Sequence, residues 1–98
     1  MATRTISTAA EEILPRNASR KSFLIQNGDG SITMYLKRER AQTPTVSATD
    51  YDFAIASGSS LALNHLLDGS EAITDRWTII AASGTPRVSF FETEDQVR

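Results

Sequence analysis

The chain has 98 residues, 40% of them apolar and 22% charged, a formal net charge of −2 and no cysteine. That length and balance describe one folded domain and not a disordered tail. The missing cysteines exclude disulfide staples, thiolate metal sites and cysteine nucleophiles, and the slight acidity argues against a dedicated nucleic-acid binder.

Helix signals are scarce and strand signals frequent. Ser and Thr recur throughout, and Thr favours strands. The N-terminal stretch Met1 to Ser7 has no apolar core and reads as a mature start, not a signal peptide. Residues 1–11 read as an arm or edge strand, with a loose alternation over Thr3 to Thr8. A short apolar step from Glu12 ends at Pro15, and Arg16 to Arg20 has turn composition. Lys21 to Asn27 alternates as a strand, and Ser31 to Glu39 alternates again with Ile32, Met34 and Leu36 on one face. The Asn27-Gly28-Asp29-Gly30 run between them predicts a tight hairpin.

Arg40 to Asp50 is polar, contains Pro44 and reads as a long loop. Tyr51 to Ala56 predicts a strand with Tyr51, Phe53 and Ile55 on one face, and Ser57-Gly58-Ser59 a turn. Ser60 to Asn64 is a short strand. His65 to Thr74 is loop-like, with one helical turn at Leu66-Leu67. Arg76 to Ala82 places Trp77, Ile79 and Ala81 on one face; Ser83 to Pro86 turns the chain, and Arg87 to Glu92 closes the domain. Residues 93–98 form a polar tail. Six to eight short strands with turn signals every 8–12 residues predict an all-β fold, a compact antiparallel β-sandwich of jelly-roll type over residues 12–92.

Chemistry is hard to place on this pattern. His65 is the single histidine, and a triad with Asp68 and Ser59 or Ser60 lacks a nucleophile elbow. Asn27 to Ser31 spaces oxygen-bearing side chains like a calcium loop, but Ile32 stands where such a loop needs Gly and Arg38 where it needs Glu. Glu92, Glu94 and Asp95 need further oxygens from elsewhere to hold a cation. No catalytic residue, metal or cofactor is expected. Residues 1–49 carry seven Lys/Arg against four Asp/Glu, and residues 50–98 three against eight. This polarity either steers association or cancels where the halves interleave. Eight of the ten cations are Arg, the cation enriched at interfaces. Lys37-Arg38-Glu39-Arg40 is too short and mixed for a nucleic-acid site, and no apolar run reaches the ~20 residues of a membrane span, so neither partner is expected.

The run from Glu12 to Asn27, with its Leu14-Pro15 step and its Phe23-Leu24-Ile25-Gln26-Asn27 strand, resembles the opening of small tailed-bacteriophage capsid decoration proteins of the cement or head-fibre-like kind. Ile32 to Leu36 is similar to that family's second strand, Ser57 to Leu63 to its Gly-x-Ser-led strand, and Trp77 to Phe90 to its closing hairpin. The likeness spans most of residues 12–92. Ala18-Ser19 stands where the family usually has a second Pro, and the segment from Lys37 to Asp50 is longer than usual. The resemblance implies a virion structural protein, not an enzyme, on the outer surface of a capsid. It implies the major capsid protein as partner and a homo-oligomer, trimer or dimer. Arg4, Lys37, Arg38 and Arg40 are the candidate capsid or subunit contacts, while Pro15, Arg20 and Asn27 are expected to shape the turn and hairpin and not to bind a partner. The alternative function is a carbohydrate- or receptor-binding module of a tail or fibre, with Tyr51, Asp52 and Trp77 as its candidates.

Overall fold

A computed structural model describes residues 2–40, 42–64 and 69–94. The strands are β1 (Ala2–Thr5), β2 (Glu11–Leu14), β3 (Arg20–Asn27), β4 (Met34–Arg38), β5 (Phe53–Ile55), β6 (Ser60–Asn64), β7 (Trp77–Ala81) and β8 (Arg87–Glu94), with one short helix, α1 (Ser70–Thr74), before β7. All pairings are antiparallel. One sheet has the order β1-β8-β3-β6 and the other β2-β7-β4-β5. The fold is the β-sandwich that the strand spacing predicts. Its pairs β1–β8, β2–β7, β3–β6 and β4–β5 trace one long ribbon laid alternately into two layers, a jelly-roll-like wrapping.

Alternation fixes which side chains meet between the layers. Phe23 and Ile25 of β3, Met34 and Leu36 of β4, Ile55, Leu63, Trp77, Ile79, Ala81 and Val88 form one buried cluster with Ile6, Ile13, Leu14 and Ile73 of α1. Burying each such side chain is worth about 1.5–3 kcal/mol. Trp77 lies against Phe23 with ring centroids 5.5 Å apart.

Strand β3 is held at both ends by buried polar side chains. At one end the Asn27 amide, fully buried, donates to the Ile32 carbonyl at 2.6 Å and the Ile55 carbonyl at 3.0 Å, and its Oδ1 accepts from the Asp29 amide. At the other, Arg20 donates to the carbonyls of Ile73 (2.8 Å), Asp75 (3.0 Å) and Pro15 and pairs with Glu92. Arg20 thus shapes the turn that precedes β3, as expected, whereas Asn27 braces a turn between the layers and not the expected hairpin.

Several expectations need correction. The segments at Lys21–Asn27 and Ser31–Glu39 do not form a hairpin, because β3 and β4 lie in different sheets. Neither Gly28 nor Gly30 takes positive φ, so the tight primed turn is absent. Instead, Asp29 Oδ1 accepts the amides of Ser31 and Ile32 and turns the chain between layers. The turns at Gly58 (φ 74°) and Gly84 (φ 63°) likewise carry the chain from one sheet to the other, so the closing segment is also an arch and not a hairpin. Residues 70–74 are helical, not loop. Thr93 and Glu94 extend β8 and leave the tail. Tyr51 lies outside β5 and packs on Tyr35, centroids 4.8 Å apart, instead of sharing a face with Phe53 and Ile55. The expected turn at Leu66-Leu67, together with His65 and Asp68, lies outside the described residues.

Candidate functional site

The four candidate contact cations are not brought together. Arg4, on edge strand β1, pairs with Glu11 of β2 at 2.9 Å and bridges one open side of the sandwich. Lys37, Arg38 and Arg40 lie in and after β4, and each has a carboxylate partner. Lys37 meets Asp50 at 2.7 Å, while Arg38 and Arg40 meet Asp75 at 3.3 and 3.0 Å. The bond to Asp50 raises the Lys37 pKa against a smaller opposing effect of burial. The bond to Asp75 likewise raises that of Arg40. Asp75 is buried, with 3% of its side chain exposed, and sequence reading gave no sign of it because its partners are more than thirty residues away. In the basic first half, Lys37, Arg38, Arg40 and Arg20 all pair with acids of the second half. The polarity of the sequence therefore largely cancels in space.

The outer faces of the two sheets differ. On the β2-β7-β4-β5 sheet, residues 39–40 and 42–52 fold back as a flap. Glu39 receives the Thr45 amide (2.8 Å), the Thr45 hydroxyl (2.7 Å) and the Thr78 hydroxyl (2.6 Å). Burial acts to raise the Glu39 pKa, but the bonds from Thr45 and Thr78 outweigh it, and the net direction is down. Thr78, on this outer face, is fully buried, and Val46 is buried apart from the main cluster. Tyr51 covers Tyr35.

The outer face of the β1-β8-β3-β6 sheet has no such cover among the described residues. The register sets Thr3, Ser89, Gln26 and Ser60 in one row across it, Phe91, Leu24 and Ala62 in the next, and Thr93, Ser22 and Asn64 in a third. None of these side chains is charged. Thr5 and Arg87 continue the face at its edge, and among the described strand residues Arg87 is its one charge. Phe91 is 42% exposed at the centre. An apolar stripe flanked by short neutral polar side chains has the composition of an interface centre, where charges are depleted and aromatics enriched.

A cavity of about 530 Å³ opens between the layers where edge strands β5 and β6 face one another. Arg38, Asp52, Phe53, Leu63, Ala72 and Trp77 line it. Phe53 is 37% exposed, its ring centroid 5.8 Å from that of buried Trp77. The Trp77 indole N–H donates to the Ala72 carbonyl at 2.8 Å. Asp52 Oδ2 accepts the Arg38 amide at 2.7 Å. Two of the three candidates for sugar recognition, Asp52 and Trp77, therefore line one cavity, while Tyr51 stands on the flap.

Among the described residues no group of three or more His, Asp or Glu is placed to hold a metal ion. Asp29 of the calcium-like run is engaged by backbone amides, Glu92 by Arg20 and Glu94 by the Asn17 amide; Asp95 lies outside the described residues. No helix among them is long and apolar enough to cross a membrane. No family model matches the chain, and no curated protein or solved structure matches it either.

Proposed function

We propose that this chain is a non-enzymatic virion structural protein that decorates the outer surface of a bacteriophage capsid. It binds the major capsid protein lattice through the outer face of the β1-β8-β3-β6 sheet. The observation that carries this reading is the uncharged row structure of that face around Phe91 and Leu24. Such a face docks without stripping water from a charge, which costs several kcal/mol per ion. The resemblance of residues 12–92 to decoration proteins supplies the partner.

The size of the face bears on how it acts. Four strands ~4.8 Å apart and five residues at ~3.4 Å each present roughly 300 Å² in projection. That is below the ~800 Å² per partner of a standard interface, so a single contact is weak. A lattice of repeated sites and an oligomer of two or three copies compensate by effective concentration, and a ligand that binds only assembled capsid stabilises it by mass action. Arg4, Lys37, Arg38 and Arg40 have internal partners and are better assigned to holding the domain's edge and flap than to the capsid.

The test is co-sedimentation with expanded empty heads of the phage that encodes the chain. Saturable binding at micromolar protein, reaching a fixed ratio to capsid subunits, is expected. No binding at that concentration overturns the reading.

A further inference from the structure

The geometry points to a second site, independent of capsid docking: the cavity between β5 and β6 binds a neutral saccharide. Its volume of about 530 Å³ falls within the ~300–1,000 Å³ usual for small-ligand sites and suits one or two sugar rings. The chemistry of its lining narrows the class.

The inward parity of β4 places Arg38 beside Trp77 in the register, and the parity of β5 places Phe53 opposite Leu36. The cavity thus has an aromatic wall formed by Phe53, backed by buried Trp77, and a polar rim of Arg38 and Asp52. Arg38 meets Asp75 through Nε at 3.3 Å, which leaves its two terminal nitrogens as donors without a partner among the described residues. Asp52 uses Oδ2 for the Arg38 amide, which leaves Oδ1 as an acceptor. An anionic ligand gains little, because the carboxylates of both Asp75 and Asp52 already stand beside Arg38. A cationic ligand meets the Arg38 guanidinium. A wholly apolar ligand strips water from both rim groups without replacing its bonds. A sugar hydroxyl both donates to a carboxylate and accepts from a guanidinium, while the C–H face of its ring covers an aromatic surface. The Trp77 indole N–H is committed to Ala72 and the residue is only 2% exposed, so Trp77 backs the cavity while Phe53 presents the aromatic face.

Trp77 is the chain's single tryptophan, and its contact with Phe53 makes its fluorescence a reporter of the cavity's back wall. The experiment titrates the intact chain with methyl glucoside, methyl galactoside, N-acetylglucosamine and their disaccharides. Trp77 emission and saturation-transfer NMR are followed in parallel. At least one sugar is expected to give a saturable signal with Kd on the order of 1 mM. Phe53→Ala and Asp52→Asn are each expected to weaken it about tenfold, the latter without removing an aromatic neighbour of the reporter. Phe91→Glu, on the other sheet, leaves sugar binding unchanged whatever it does to capsid docking. The inference is overturned by no saturable signal from any sugar in either measurement, by stronger binding of acetate or guanidinium ions than of sugars, or by binding that neither Phe53→Ala nor Asp52→Asn weakens.

Discussion

The two outer faces of this sandwich are built from strands of similar alternating pattern, yet they end in opposite states. The face of the β2-β7-β4-β5 sheet is closed from within. Residues 42–52 return over it, Glu39 gathers three donors from Thr45 and Thr78, and Tyr51 lies on Tyr35. Among the described residues nothing covers the face of the β1-β8-β3-β6 sheet, whose charge is confined to Arg87 at its edge, and Phe91 is 42% exposed at its centre. A chain that folds a polar segment over one face while keeping charge to the edge of the other treats the two differently. In the proposed reading, the covered face serves stability and the open face serves contact.

Placing charge on the open face gives the largest expected effect. Leu24→Glu combined with Phe91→Glu removes the apolar stripe and forces two carboxylates into the contact, at about 2 kcal/mol or more each. Capsid co-sedimentation is expected to weaken by about a thousandfold, while the melting temperature moves little because both side chains are at least partly solvent-exposed. A large loss of melting temperature with docking intact reverses the assignment of the two faces.

The next effect belongs to the covered face. Glu39→Ala deprives the flap of the acceptor for three hydrogen bonds and is expected to cost about 1–3 kcal/mol in chemical denaturation, with docking unchanged. The same carboxylate gives a pH signature. Its folded pKa is lowered from 4.5. Its contribution to stability is therefore full above the unfolded value and is lost as pH falls through the lower folded value. Denaturation midpoints and the NMR shift of the Thr45 amide, followed downward from neutral pH, are expected to hold steady until below pH 4.5 and then change together. A Thr45 shift that moves near neutral pH contradicts the latch. The smallest effect is at the edge. Arg4→Ala removes a partly exposed pair with Glu11 and is expected to cost only about 0.2–1 kcal/mol, with docking within twofold of wild type. A tenfold loss of docking restores Arg4 as a contact.

The strands and their inward faces were legible in the sequence, because alternation is a local property. Phe23 and Ile25, Met34 and Leu36, and Trp77, Ile79 and Ala81 stand in the core as their spacing predicts. Which strand pairs with which was not legible. The run Asn27-Gly28-Asp29-Gly30 suits a hairpin as well as an arch, and what decides is the burial of Asn27 against Ile32 and Ile55, which no local pattern carries. The same limit hid Arg20 with Glu92, and Asp75 with Arg38 and Arg40, since these partners meet across 35 to 72 residues and only after the layers stack. The neutral face lay in plain view as three triplets, Ser22-Leu24-Gln26, Ser60-Ala62-Asn64 and Ser89-Phe91-Thr93. Only the order β8-β3-β6 joins them into one surface. The cationic residues drew attention first because charge is conspicuous in a sequence, whereas the absence of charge becomes visible only on an assembled sheet.

The most direct test of the difference between the faces is amide hydrogen exchange of the wild-type chain, free and bound to capsids. The account predicts added protection across β8, β3 and β6 around Phe91 and Leu24, with exchange in residues 42–52 unchanged. Protection confined to residues 42–52, with β8 unaffected, contradicts it.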